Sequence, residues 1–425
     1  MNPIKPLLLS ASDLGGGAAI AAYRLHQGLT QLGIESQMLV QEKLSDDHRV
    51  VTSQTKLGKG WAKIAPSIDR LLLQRYPHRD RTTYSLQWLP NNLVERVINL
   101  KPNILNLHWV CESFLRIEDL ARLQQVLQVP IVWTLHDMWP FTGGCHYSFD
   151  CDRYQQKCGT CPQLHSNKEN DLSHWIWQRK IRTWPNLNMA IVAPSKWLAE
   201  QARQSMFMHL PIHHIPYGID TNAYRPIDQS QCRSVLGVPE HKKILLFGAH
   251  SLSEPRKGGD LLIAALQAIP ASLKQDLCLL TLGDGGAEIA QAVGIANLSL
   301  GYASGDRLKA VVYNAADLVL VPTRADNLPL VLQESLACGT PMVSFRVGGV
   351  SDLVRPGITG ALAAPNNALD FRDRIMELLD NPDQLAQMAT NCRQIALKEY
   401  PLHQQTQQYI NLFRSLQVNN RSEKI

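Results

Sequence analysis

The chain has 425 residues, 45% apolar and 19% charged, with a formal net charge of +5. That composition excludes global disorder, and the length exceeds what one hydrophobic core supports, so two domains are expected. The small positive excess is too weak to argue for nucleic acid by itself, and is compatible with anionic small molecules or lipid surfaces.

The first apolar run, Leu7 to Leu9, is far shorter than the apolar region of a secretory signal and ends in Ser10, Ser12 and Asp13. No stretch approaches the roughly 18 uninterrupted apolar residues of a membrane span. The expectation is a cytoplasmic protein, in which nine cysteines do not read as structural disulfides. Cys111, Cys232, Cys278, Cys338 and Cys392 stand singly, as small buried apolar residues do.

In chain order, the run 6–10 reads as a strand, followed by a glycine-rich loop (Gly15, Gly16, Gly17) and a helix pattern from Ala18 to Leu32. Strand-like runs return at 36–40, 103–109, 131–137 and 189–194. A second series follows at 243–250, 277–285, 298–302, 317–322 and 341–345, with helical patterns between most of them. Near-continuous apolar strands alternating with helices predict parallel sheets covered on both faces. The fold class is therefore α/β, with two doubly wound Rossmann-like domains facing a cleft. The expected boundaries are 1–212 and 213–400, with 401–425 as a C-terminal helix packing back on the first domain plus a frayed tail. The stretch 212–226, rich in Pro, Gly and Asn, reads as the connector.

Residues 56–81 break the rhythm. They hold seven Lys/Arg against two Asp, and Trp61, Ile64, Ile68, Leu71 and Leu72 fall at helical spacing. One reading is a covering helix with a solvated basic face. The other is a peripheral contact with an anionic membrane or acceptor.

Residues 138–165 form a cysteine-rich loop after His136 and Asp137. Cys145, Cys151, Cys158 and Cys161 are separated by five, six and two residues, and only the last pair has the compact turn common in zinc sites. Structural Zn²⁺ is the leading reading, with His146 and the remoter His165 as alternative ligands. Two disulfides come next, then free thiols or a redox pair. A long loop needs something to order it, and a metal can replace a core. Trp139, Phe141 and Tyr147 in this loop are candidates for stacking on sugar rings, or local packing.

The stretch 317–341 carries the strongest site signal. A strand ends at Pro322, a turn carries Arg324, Asp326 and Asn327, and a helix is expected to begin near Pro329 with Glu334 inside it. Backbone N–H groups at a helix start can hold a phosphate while carboxylates grip hydroxyls; an Asp before a helix is equally often only a cap.

This stretch, with its "CGTPMVSFRVGGVSDLV" continuation, resembles the retaining family 4 (group 1) glycosyltransferases of the GT-B fold. Those enzymes carry two Glu eight positions apart; here the pair is Asp326 and Glu334, a one-carbon shortening at the first acid. "FGAHSLSEPRKGGDLL", "TLGDGG", "IPYGIDTNAYRP" and "YNAADLVLVPTR" agree with the family in order, as do the glycine-rich loop and "WTLHD". A polysaccharide-biosynthesis subgroup with a cysteine-rich loop is similar to "MWPFTGGCHY".

The resemblance implies transfer of a sugar from a nucleotide-diphosphate sugar to a saccharide or lipid-linked acceptor, with retention of anomeric configuration. It implies that Arg256 and Lys257 balance the donor diphosphate, that Glu334 binds the nucleotide ribose, and that Asp326 and His136 face the donor sugar. Gly16, Gly17, Gly283, Asp284, Asn327, Leu328, Pro329 and Leu330 complete the implied donor site. The cysteine-rich loop becomes a staple shaping the acceptor pocket, and no cofactor is required for catalysis. The rivals are a dehydrogenase or epimerase, for which the Gly-x-Gly-x-x-Gly signature is missing, and a zinc-stapled nucleotide-sugar or nucleic-acid binder without transferase activity. Residues 143–164 hold only Arg153 and Lys157 against Asp150 and Asp152, so nucleic acid is not expected as a partner.

Overall fold

A computed structural model describes residues 3–53, 55–184, 186–303 and 305–422. The chain divides into two compact units, Met1–Tyr217 with His403–Ile425, and Gly218–Leu402.

The first unit is built on seven strands: β1 Pro6–Ser12, β2 Gln37–Glu42, β3 Val50–Val51, β4 Ile104–Leu107, β5 Ile131–Thr134, β6 Met189–Ala193 and β7 Ile212–His214. They form one parallel sheet in the order β3-β2-β1-β4-β5-β6-β7. Side chains alternate across a strand, so adjacent residues enter opposite cores. Leu7, Leu9, Leu105, Leu107 and Trp133 meet Trp139, Trp184 and Phe207 on one face. Leu8, Met38, Val132 and Val192 meet Tyr409, Ile410 and Phe413 of the helix Leu402–Ser422 on the other. Tyr409 and Phe413 are fully buried, each worth about 2–3 kcal/mol of apolar burial.

The second unit has six strands: β8 Lys243–Ser251, β9 Leu277–Asp284, β10 Ala296–Ser299, β11 Leu318–Val321, β12 Met342–Phe345 and β13 Gly360–Ala363. These too are parallel, in the order β10-β9-β8-β11-β12-β13. Each sheet reverses its winding once, between β1 and β4 and between β8 and β11. In doubly wound sheets the crevice beyond the carboxyl ends of those two strands is where ligands bind.

Three expectations need correction. The first unit ends at Tyr217, not 212, because Ile212–His214 pairs with β6 as the edge strand β7. The return crossing falls after Leu402 rather than 400, since Pro401 and Leu402 still pair with Ile219. The strand expected at 298–302 lies at Ala296–Ser299; Leu300 and Gly301 beyond it still bond Thr281 and Gly283 of β9, with Gly301 at φ +62° turning the chain out of the extended conformation.

Candidate active site

In the second unit, β8 and β11 deliver their loops to the switch point. The β8 loop makes a short turn, Pro255–Lys257, before the helix Gly259–Gln267, and the β11 loop precedes the helix Leu330–Cys338, with Pro329 at its cap position. Lys257 Nζ donates to Asp326 Oδ2 at 2.7 Å, and Arg256 Nη1 to the same oxygen at 3.0 Å. The carboxylate's other oxygen accepts the Asn327 N–H at 3.0 Å. Burial would push the Asp326 carboxyl up; the Lys257 and Arg256 charges and hydrogen bonds outweigh it and hold it below the usual carboxylate range. Asp326 is thus no helix cap. Arg256 is oriented further by Glu254 at 2.8 Å and by the Ala325 carbonyl at 2.8 Å.

Backbone close approach explains the glycines. Gly258 sits at φ +72°, and a Cβ there would lie 1.9 Å from the Pro322 carbonyl oxygen. Gly348, at φ +51°, lies so close under Asp326 that a Cβ would reach 2.0 Å from its carbonyl oxygen. The Gly349 N–H then donates to that oxygen at 3.1 Å. Arg324, beside the site, makes a two-pronged pair with Asp260.

Glu334 lies one helical turn into Leu330–Cys338, buried, with Oε2 accepting the Tyr313 hydroxyl at 2.8 Å. Asn327 and Leu328 are buried in the same turn. Gly283, next to last in β9, sits at φ +128° against Ala249, and the exposed Asp284 ends the strand. The structure therefore joins Arg256, Lys257 and Asp326 directly and keeps Asn327 and Glu334 on the same loop and helix.

The first unit carries its own polar line at the β1/β4 switch. Gly16, at φ +91°, precedes the helix Gly17–Gln31, which has no side-chain cap. Two strands both leave the sheet through a Leu-His step. His136 Nε2 pairs with His108 Nδ1 at 3.0 Å, and His136 Nδ1 with the Tyr217 hydroxyl at 2.6 Å. The line continues from His108 through Asn106 and Thr134 to the Tyr409 hydroxyl. Burial, opposed by Asp137, pulls His136 down to about 4 and makes it a neutral imidazole at physiological pH. The sequence reading missed His108, although its place after β4 mirrors that of His136 after β5.

Two family models match this chain: Glycosyltransferase Family 4 over residues 15–223 and Glycosyl transferases group 1 over residues 228–395. The chain belongs to the group 1 glycosyltransferase family. Among curated relatives, D-inositol 3-phosphate glycosyltransferase 1 of Catenulispora acidiphila is 32% identical over 199 residues, 44% of this chain and 47% of the relative. The enzyme of that name from Rhodococcus opacus is 34% identical over 185 residues, 40% of this chain and 41% of the relative. The chain spans a little under half the length of these relatives. Among solved structures, sucrose-phosphate synthase from Thermosynechococcus elongatus superposes with TM-score 0.71 at 18% identity, over 97% of this chain and 99% of that one. Anabaena HepE in complex with UDP-glucose gives 0.67 at 18% identity, over 97% and 100%. The fold is GT-B, with two Rossmann-like units.

This group 1 glycosyltransferase has a cysteine-rich loop that differs from expectation in its aromatics and histidines. Trp139 and Phe141 are fully buried and Tyr147 nearly so, packed on Trp133, Trp184, Phe207, Tyr154 and Trp197, so they are core rather than sugar-stacking faces. His146 is not available as a metal ligand. Its Nδ1 pairs with Asp137 Oδ2 at 2.6 Å and its Nε2 with the Ser85 hydroxyl at 2.9 Å. His165 pairs instead with Asp80. Cys145, Cys151, Cys158 and Cys161 are unbridged and line one cavity together with Tyr84. Among the described residues, no three His, Cys, Asp or Glu side chains stand at single-ion geometry. Beside the loop, Lys180 is fully buried, its Nζ donating to the Trp139 and Thr142 carbonyls and lying 3.7 Å from the Trp139 ring centroid. Burial, opposed by Cys111, Cys145, Cys158 and Asp137, draws its ammonium down to about 7.

Proposed function

We propose that the chain transfers a sugar from a nucleotide-diphosphate sugar to a saccharide or lipid-linked acceptor hydroxyl with retention of anomeric configuration, in polysaccharide biosynthesis. The observation that carries this reading is the convergence of Arg256, Lys257 and Asp326 beyond β8 and β11, within the region matched by the group 1 model. As the glycosidic bond to the donor breaks, the leaving diphosphate gathers negative charge. Arg256 and Lys257 stabilise it, with the start of the helix Leu330–Cys338 and the amides around Asn327 to Leu330 adding aligned dipoles. Asp326 holds the two cations ready, and Glu334, braced by Tyr313, takes the ribose hydroxyls. Gly283 and Asp284 flank the nucleotide, Gly16 and Gly17 let first-unit amides approach the phosphate, and His136 contacts the sugar as a neutral imidazole. The catalytic step needs no divalent metal in this scheme, since side-chain cations perform its work.

UDP-glucose, which one structural neighbour binds, is the first donor to try, beside GDP- and ADP-sugars. The acceptors to try are phosphorylated cyclitols, after the relatives' names, and lipid-linked saccharides. Transfer is followed by chromatography, and the product's anomeric coupling by NMR. Lys257→Ala and Glu334→Ala should each lose about 100-fold or more in kcat. Full activity in either variant removes the assigned role, and inversion at the anomeric carbon removes the retaining mechanism.

The acceptor side of the reading includes a membrane. The helix Lys56–Asp69 and the turn Arg70–Arg75 leave Leu57, Trp61, Ile64 and Leu71 exposed along one stripe, beside Lys56, Lys59, Lys63 and Arg70. An apolar ridge edged by cations suits an anionic leaflet, placing a cytoplasmic enzyme at the inner face of the membrane. Among the described residues no helix is long and apolar enough to cross one. Co-sedimentation with anionic vesicles should fall in Lys59→Glu/Lys63→Glu; unchanged binding sinks the contact.

A further inference from the structure

We propose that Cys145, Cys151, Cys158 and Cys161 bind one thiophilic divalent ion, zinc in the first instance, as a tetrathiolate site with Lys180 as its buried counter-charge. Three observations independent of spacing lead there. All four cysteines line a single small cavity of about 20 Å³, large enough for one water-sized sphere or one ion.

The loop is built to close tightly around it. A Cβ on Gly143 would meet the Ser173 carbonyl oxygen at 2.4 Å, one on Gly144 would meet Tyr84 at 2.4 Å, and one on Gly159 would meet the Glu169 carbonyl oxygen at 2.1 Å. The backbone carrying Cys161 is pinned: its N–H donates to Asp171 Oδ2 at 2.8 Å, and its carbonyl accepts the N–H groups of Leu164 and Ser166. Outer hydrogen bonds of this kind fix the segments from which ligands reach an ion.

The third observation is the lysine. A fully buried ammonium is costly without an anion. Lys180 has two carbonyls and a ring face, and the carboxylate whose charge reaches it, Asp137, is already taken by His146, Trp109 and the Trp139 N–H. Binding of the ion releases four protons to solvent, one from each thiol, so that the four thiolates and Zn²⁺ carry a net charge of −2. Lys180, within electrostatic reach of Cys145 and Cys158, offsets half of it. Among the described residues the four sulfurs do not stand at single-ion geometry, so binding requires the cysteine side chains to reorient around the ion.

The test uses the full chain, purified without chelator or histidine tag, under reducing conditions. Elemental analysis should find about one zinc per chain, and replacement by Co²⁺ should give the intense thiolate-to-cobalt charge-transfer and tetrahedral ligand-field bands of a four-sulfur site. Cys→Ser at 145, 151, 158 or 161 should abolish those bands or shift them to a three-sulfur pattern, whereas Cys278→Ser should leave them intact. Lys180→Met should lose zinc to a competing chelator at least tenfold faster than wild type, with Lys180→Arg intermediate. Should the metal content stay below about a tenth per chain after reconstitution, the site does not exist. Two disulfides by mass spectrometry of the native protein, or zinc retained in a variant lacking all four cysteines, overturn the proposal equally. Unchanged zinc loss in Lys180→Met removes the counter-charge role.

Discussion

Asp326 stands where the resemblance has Glu, and its shorter stem ends on Lys257 and Arg256 rather than in open space. Replacing it by Asn leaves two half-buried cations facing a neutral amide, expected to cost about 2 kcal/mol of stability at neutral pH. The folded carboxyl lies below its unfolded value, so this stabilisation is complete above the unfolded range near 4 and fades as pH falls through the folded value. Urea unfolding of wild type and Asp326→Asn should therefore differ at pH 7 and draw together as pH falls below about 4; a constant gap would remove the ion pair from the account. His136 titrates in the same sense. Held near 4 when folded against about 6.5 unfolded, it contributes stability present above pH 6.5 and lost toward pH 4, at most roughly 1.4 kcal/mol per pH unit. His136→Gln should flatten that limb of the stability profile.

The elements were legible wherever apolar runs were long and sharply bounded, because burial on both faces leaves an uninterrupted apolar run. β3 is two residues long, β7 reads Ile-His-His, and β13 reads Gly-Ala-Leu-Ala. Such edge and small-residue strands owe their pairing to neighbours rather than to their own pattern. Site residues in single motifs were legible too, but their couplings were not. No spacing rule joins Ser85 to His146, or Lys180 to a loop forty residues earlier in the chain. Two glycines, one on each side of β8, give a test at this scale. Gly258→Ala pays both for φ +72° and for a clash with Pro322, while Gly237→Ala pays only for φ +66°, with nothing within 4 Å. The first should lose about 3 kcal/mol or more and disturb Lys257, the second about 1 kcal/mol. Equal melting points would contradict the close-approach argument.

At the scale of the whole molecule, the first unit is discontinuous in sequence. Residues 1–217 alone lack Tyr409, Ile410, Leu412 and Phe413, which complete one of its two cores. Expressed alone, that fragment should bind an apolar dye and unfold without a cooperative transition, whereas 218–402 should melt cooperatively. Joining 403–422 to the first fragment through a flexible linker should restore a sharp transition, and cooperative melting of unassisted 1–217 would show the helix to be dispensable.

The same discontinuity bears on biosynthesis. The surface formed by Leu8, Val132 and Val192 leaves the ribosome early, but the aromatic residues that cover it follow more than two hundred residues later. At typical elongation rates of about 5–20 residues per second, that face stays bare for roughly 10–40 seconds. During that interval the nascent chain offers chaperones a sticky sheet whose cover has not yet been made.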